Sequence, residues 1–144
     1  MAVQPIPEGY HTVTPYLIVP DVDGQISFLQ EAFDAEVRAR MEGPDGRVMH
    51  AEVRIGDSPV MMGESSDEIP PMPAMLHLYV PDVDAVYEQA LAAGATSVRE
   101  PIDEFYGDRS GGVQDAFGNQ WWLATHVEDV SEEEMMRRME EMAQ

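Results

Sequence analysis

Leu78-Tyr79-Val80-Pro81-Asp82-Val83-Asp84 decides how this 144-residue chain reads, because the stretch stands in it twice. The other copy is Leu17-Ile18-Val19-Pro20-Asp21-Val22-Asp23, and at the same displacement of 61 residues Val37-Arg38 returns as Val98-Arg99. An internal period has to be settled first, since each period implies its own architecture. Two copies are too few for a solenoid, whose units need several neighbours to bury their faces. They suffice for one pseudo-symmetric domain made of two modules of about sixty residues.

Each copy opens with a short run of β-branched, aromatic and large apolar residues that ends at a proline. Val13 to Val19 and Met75 to Val80 therefore read as strands. The Pro-Asp-Val-Asp that follows puts an aspartate where it accepts hydrogen bonds from the free N–H groups opening a helix. Ile26, Phe28, Leu29, Ala32 and Phe33 lie near helical spacing behind the first copy, and Val83, Val86, Tyr87, Ala90 and Leu91 behind the second. Gly94 suits a left-handed cap on the second helix, and Asp34 holds that place after the first at greater backbone cost.

Further strands are predicted over 35–42, 47–55 and 59–63, the first two joined at the turn Gly43-Pro44-Asp45-Gly46. In the first, Val37, Ala39 and Met41 form a packing face against Glu36, Arg38, Arg40 and Glu42. In the second, Met49, Ala51, Val53 and Ile55 oppose His50, Glu52 and Arg54. The other half repeats the scheme with a strand over 95–101, a loop from Phe105 to Gly112 feeding a strand through Val113, and a last strand from Gln120 to Val127 after the turn Asp115-Ala116-Phe117-Gly118-Asn119. Module one is placed at about 12–64, a proline-rich acidic linker at 65–73 and module two at about 74–127. Ser131 with Glu134 makes a capping box for a C-terminal helix over about 131–142, whose Met135, Met139 and Met142 are expected to pack on the domain or on a second subunit. The fold class is α+β: two pseudo-symmetric βαβββ modules, with Leu17, Val19, Leu78 and Val80 under their helices, plus that C-terminal helix.

Composition narrows the function classes. Apolar residues make up 44%, too many for a disordered chain, and no apolar run approaches the ~20 residues of a membrane span. There is no cysteine, which removes disulfides, thiolate ligands and thiol nucleophiles together. Twenty-eight acidic residues against eight arginines and no lysine give a net charge of −20, a field that repels nucleic acid and anionic membranes. It serves either to attract a cationic ligand or to solvate the surface in a salty cytoplasm, and the even spread of the acids favours the second. With no hydrophobic leader at the N-terminus, the expected compartment is the cytoplasm.

Paired βαβββ modules, a Val-x-Asp leading into each helix, and an Asp-x-x-Gly turn before the last strand resemble the vicinal oxygen chelate superfamily. That group includes glyoxalase I, bleomycin-resistance proteins, fosfomycin-resistance enzymes and extradiol dioxygenases. Within it the chain is similar to the PhnB-like, glyoxalase-like branch through Ile6-Pro7-Glu8-Gly9-Tyr10, Phe105-Tyr106-Gly107-Asp108-Arg109 and Ala124-Thr125-His126-Val127-Glu128-Asp129-Val130-Ser131. The resemblance runs from Ile6 to about Arg138. It implies that the two sheets form an open, barrel-like cavity, that the protein is a homodimer, and that metal-dependent members hold a divalent ion in the cavity. In this chain, however, Thr14, Met75 and Trp122 fall at three of the family's ligand positions, and Val60-Met61-Met62 at the fourth. None of these holds a hard or borderline cation well. The resemblance thus transfers no metal ligand and no cofactor.

Strand alternation turns Tyr16, His50, Glu52, His77, Tyr79, Trp122 and His126 toward the cavity. Tyr106, Asp108 and Arg109 stand in the loop at its mouth, where Asp108 and Arg109 are expected to pair. Aromatic walls with a few convergent polar groups are what a small-molecule site needs. The favoured reading is metal-independent binding of a small molecule, with neither nucleic acid nor membrane as partner. The alternative is a lyase, isomerase or dioxygenase-type enzyme acting on a small oxygenated metabolite. It would work through His/Glu acid–base chemistry or a relocated divalent metal on His50, His77 and His126.

Overall fold

A computed structural model describes residues 2–144, and the chain divides into two compact units, Met1–Ala74 and Met75–Gln144. In the first, β1 (Tyr16–Val19), α1 (Val22–Phe33), β2 (Glu36–Glu42), β3 (Val48–Ile55) and β4 (Ser58–Glu64) form a sheet of order β1-β4-β3-β2. β1 runs parallel to β4, and the other neighbours are antiparallel. The helix and the β2–β3 hairpin supply the long connection that a parallel pair requires. Asp21 caps α1 by accepting from the Gly24 N–H at 2.9 Å, and Asp34 closes it at φ 57°, a left-handed conformation that aspartate tolerates. The helix packs on β3 and β4 and buries Val22, Ile26, Leu29 and Ala32, while the sheet contributes Leu17, Val19, Ala51, Val53 and Met62 to the core. Leu29→Ala would open a cavity there worth about 2–5 kcal/mol.

β2 departs from its expected alternation. A bulge between Val37 and Ala39 shifts the register, and beyond it the Arg40 guanidinium turns to α1 and grips Asp23 at 2.8 Å through both Nε and Nη2. A one-residue slip exchanges the faces of a strand, so Met41, now opposite His50, is exposed instead of packed; Val37, which precedes the bulge and pairs with Val53, is exposed as well. After β4 the chain folds back on the sheet. Ser65 N–H donates to Val19 O at 2.9 Å and Met72 N–H to Ile18 O at 3.1 Å, so Met72 bridges the outer edge of β1.

In the second unit, β5 (Met75–Tyr79), α2 (Val83–Ala92), β6 (Thr96–Asp103), β7 (Asp108–Gln114) and β8 (Gln120–His126) repeat the order as β5-β8-β7-β6, with β5 parallel to β8. The eight strands thus make two four-stranded sheets and are not closed into one barrel. Asp82 caps α2 by accepting from Ala85 N–H at 3.2 Å, and Gly94 leaves it at φ 109°. Asp115 sets the turn before β8. Its two carboxylate oxygens accept from the backbone N–H of Phe117 and Asn119, from Asn119 Nδ2 and from the buried Trp121 indole N–H, at 2.9 to 3.2 Å. Trp121, Leu123, Val113, Val83, Tyr87 and Ala90 form this unit's core.

Three expectations change here. Leu78 and Val80 are half-buried, whereas their counterparts Leu17 and Val19 are buried. β7 starts at Asp108, inside the expected loop, because its whole length pairs with β8 from Asp108↔His126 to Gln114↔Gln120. The last helix, α3 (Glu132–Met142), is capped by Ser131 accepting from Glu134 N–H at 3.2 Å, but it buries none of its residues. Met136, Met139 and Met142 stay exposed, and Arg138 ties the helix down through Glu128 and the Phe105 carbonyl at 2.7 and 3.0 Å. Among the described residues no helix is long and apolar enough to cross a membrane.

Candidate functional site

Each sheet turns one face away from its helix, and most of the candidate residues lie on those two faces. On the first sheet, Tyr16 of β1 lies opposite Met61 of β4, which lies opposite Glu52 of β3, so the three share a face. His50, two residues before Glu52, joins them. The Tyr16 hydroxyl is 3.2 Å from His50 Nδ1, His50 Nε2 is 2.9 Å from Glu52 Oε1, and Glu52 Oε2 accepts the hydroxyl of Tyr10. Gly63 of β4 makes room for this row, since a Cβ there would stand 3.1 Å from both the Tyr16 hydroxyl and the Met49 carbonyl.

The electrostatics of the row fix its proton positions. Hydrogen bonds from His50 and then Tyr10 hold the Glu52 carboxyl below the usual carboxylate range, against the opposing effect of burial. The same Glu52 bond pushes the Tyr10 phenol up. An ionised carboxylate only accepts, so His50 Nε2 donates to it. In a neutral ring that leaves Nδ1 as a lone-pair acceptor for the Tyr16 O–H. Tyr10 sits in the N-terminal arm, which Arg54 Nη2 also holds through Gly9 O at 3.1 Å. Sequence reasoning missed Tyr10 as a site residue; its one signal was its place in the Ile6–Tyr10 segment that resembles the family.

On the second sheet, His77 and Tyr79 of β5, Trp122 and His126 of β8 and Asp108 of β7 share the corresponding face, through the pairings His77↔Trp122 and Asp108↔His126. Asp108 is only 2% exposed and receives the Tyr79 hydroxyl at 2.7 Å and His126 Nδ1 at 2.8 Å. Burial pushes its carboxyl up, but the bonds from His126 and Tyr79 outweigh this and leave it below the ordinary range. Tyr79 is pushed up by its bond to Asp108. His126 also reaches Asp129 through Nε2 at 2.7 Å, and the bonds to Asp129 and then Asp108 raise its pKa. A carboxylate on each ring nitrogen favours the protonated ring, which can donate to both. His77 stacks at a tilt on Tyr79 with ring centroids 5.0 Å apart, and Tyr79 remains 66% exposed.

Two placements differ from expectation. Arg109 does not pair with Asp108: neighbours along a strand point to opposite faces, and Arg109 binds Asp84 of α2 in two bonds of 2.8 and 3.0 Å and Asp103 at 3.4 Å. Trp122 is not a free wall. Its indole lies so close to Gly112 that an added Cβ would stand 2.8 Å from Cε2, and the Arg99 guanidinium lies over the ring at 5.1 Å from its centroid. Arg99 is itself tied to Ser110 O and Oγ at 2.7 Å and to Glu104 at 2.7 Å. Tyr106, half-buried in the turn before β7, packs edge-on against Phe105 with ring centroids 5.3 Å apart.

The family's metal positions do not fit a cation in this chain. Met75 opens β5 as an exposed thioether, Trp122 is pinned under Arg99, and Thr14 precedes β1. Among the described residues no group of three or more His, Cys, Asp or Glu is arranged to hold a metal ion. Both ring nitrogens of His50 and of His126 are engaged by protein partners.

Residues 10–123 match the Glyoxalase/Bleomycin resistance protein/Dioxygenase superfamily, and the chain belongs to that family. An uncharacterized protein of Mycobacterium bovis is 38% identical over 141 residues, covering 88% of this chain and 91% of its own. Among solved structures, TioX from Micromonospora sp. ML1 superposes with a TM-score of 0.69 at 24% identity, over 81% of this chain and 99% of that one. The PhnB protein of Bacillus cereus gives a TM-score of 0.64 at 19% identity, over 80% and 99%. At such identities the structural likeness carries the fold.

Proposed function

We propose that this chain is a PhnB-like member of the family that binds a small molecule without a metal, on the sheet faces that carry Tyr16, His50, Tyr79 and His77, and that it works as a homodimer. The observation that carries the reading is the exchange of donors. Where metal-dependent relatives need histidine or carboxylate, this chain has Thr14, Met75 and Trp122, while exposed phenols and hydrogen-bonded polar groups occupy the same faces. Sequestration needs only such aromatic area and a few fixed polar anchors. The branch assignment rests on the three segments around Tyr10, Asp108 and His126. The dimer rests on the uncovered methionines of α3, an apolar surface a small monomer would leave in water.

EDTA-treated protein titrated calorimetrically with metal-free bleomycin and with S-lactoylglutathione tests this, and saturable heat from either is the expected result. Binding that emerges only after zinc, manganese or nickel is restored would overturn it. A second reading, acid–base catalysis, is favoured by the row of hydrogen bonds that ends on the Tyr16 hydroxyl.

A further inference from the structure

We infer that Tyr16 is a general acid–base, acting on the carbon next to the carbonyl of a small, uncharged carbonyl compound, with His50 and Glu52 as its positioning residues. The inference rests on the proposal that a small molecule docks on the first sheet's outer face. The argument begins with direction. Glu52 accepts a hydrogen bond from the Nε2–H of His50, which in the neutral ring leaves the Nδ1 lone pair toward the Tyr16 hydroxyl 3.2 Å away. A phenol hydrogen-bonded to a base that is itself oriented by a carboxylate is the arrangement that activates a hydroxyl. The hydroxyl group's side chain is 46% exposed, so a substrate can reach it, whereas Glu52 is closed off by Tyr10 and His50. The charged or titratable groups facing His50 are Tyr16 from β1 and Glu52 on its own strand; Met41, opposite on β2, adds none.

The second sheet supplies the internal contrast. There Tyr79 also meets a partner on the outer face, but the partner is a carboxylate. A carboxylate, with an ordinary pKa of ~3.9, is too weak a base to take a proton from a phenol at ~10, whereas imidazole at ~6.5 is far closer. Tyr79 is therefore held as a donor, and of the two only Tyr16 has an imidazole beside it as the stronger base.

The steps balance without any further reagent. The Tyr16 O–H bond breaks and its proton moves to His50 Nδ1, leaving a phenolate beside an imidazolium that Glu52 neutralises. The phenolate oxygen takes the α-proton, and the C–H electron pair shifts to the carbonyl to give an enolate. The new phenol, exposed to water, exchanges that proton with solvent and then delivers a solvent proton to carbon or to oxygen, and His50 gives its proton back to Tyr16. The net change is an isomerisation or an α-hydrogen exchange. The carboxylate of Glu52 and the chain's net charge of −20 disfavour an anionic substrate, which is why the class is uncharged.

Deuterium wash-in by proton NMR tests the inference, with EDTA-treated protein in D2O and dihydroxyacetone, hydroxyacetone and acetoin as probes. Saturation-transfer signals in the same tubes report docking separately. Wild type should exchange the α-hydrogens of at least one probe about a hundredfold faster than buffer. Tyr16→Phe should fall to the buffer rate while keeping its far-UV dichroism. His50→Gln should shift the pH profile upward toward the phenol range, a change that a merely structural role for the ring would not produce. Docking without exchange, or equal rates in Tyr16→Phe and wild type, overturns the acid–base role and leaves the binding proposal standing. Neither docking nor exchange with any of the three overturns the substrate class and this inference with it.

Discussion

Gly112→Ala puts the geometry of the second sheet's outer face to a quantitative test. A methyl at residue 112 would stand 2.8, 2.9 and 3.0 Å from Cε2, Cδ2 and Cε3 of the Trp122 indole. Ordinary carbon–carbon contact lies at about 3.5–4.0 Å, so the ring must lift by nearly an ångström. It cannot lift freely, because the Arg99 guanidinium lies across it and is fastened to Ser110 and Glu104. Overpacking of this kind costs about 1–3 kcal/mol, and the partial exposure of Trp122 places the expectation near the middle, at about 2 kcal/mol. With a urea m-value of about 2 kcal/mol/M, the unfolding midpoint followed by far-UV circular dichroism should drop by roughly 1 M. The double variant Gly112→Ala/Trp122→Leu should recover most of the loss, since the smaller side chain leaves room for the methyl. A midpoint within about 0.2 M of wild type for the single variant would show that the indole does not lie on β7 as described.

Gly63→Ala should crowd the Tyr16 hydroxyl, 3.1 Å from the added methyl, and slow any Tyr16-dependent hydrogen exchange by about tenfold with little change in melting temperature. Asp115→Ala leaves the Trp121 indole N–H and three other donors without their carboxylate and should lower stability by about 3 kcal/mol in calorimetry; a loss under about 1 kcal/mol would refute the role given to that turn. His126 should titrate above the ordinary histidine value by NMR, and Asp129→Ala should lower its pKa more than any other single change. Because its pKa is raised on folding, its contribution is complete below about pH 6.5 and is lost as pH rises through the folded-state value. Sedimentation at micromolar concentration should show a dimer that Met136→Glu/Met139→Glu converts to monomer.

What the sequence makes legible here is what local chemistry decides. The two Pro-Asp-Val-Asp stretches announce their helices because an N-cap needs only one carboxylate at one position, and Asp21 and Asp82 act in that way. Asp34 likewise accepts the left-handed backbone that its place demands. Alternation places His50 and Glu52 on one face of β3 without any knowledge of the rest of the chain. Long-range choices are hidden. The bulge in β2 accompanies the pull of Asp23 on Arg40 from 17 residues away, and nothing in the alternating run Glu36–Glu42 signals it. The run Gly107-Asp108-Arg109-Ser110-Gly111-Gly112 has the composition of a loop, yet pairing with β8 makes strand of all but its first residue. That reassignment is also what separates Arg109 from Asp108. Tyr10 closes on Glu52 across 42 residues, from an arm whose prolines and glycine read as featureless. A match at six of seven positions cannot tell that β5 will be less covered than β1, since coverage depends on what each unit lays over its strand.

With sheets only four strands wide, half of all strands lie at an edge, and an open edge invites unwanted pairing between molecules. Three of the four are blunted. Met72 closes the edge of β1, bulges break the line of β2 and β6, and Pro101 removes a donor from β6. β5 is the plain one, and Tyr79 and Met75 stand exposed along it. Solubility at high concentration thus hangs on mutual charge repulsion at that strand and on residues 65–73, which double as a cover for the edge of β1. Shortening that segment, or shielding the repulsion with concentrated salt, should promote cross-strand aggregates.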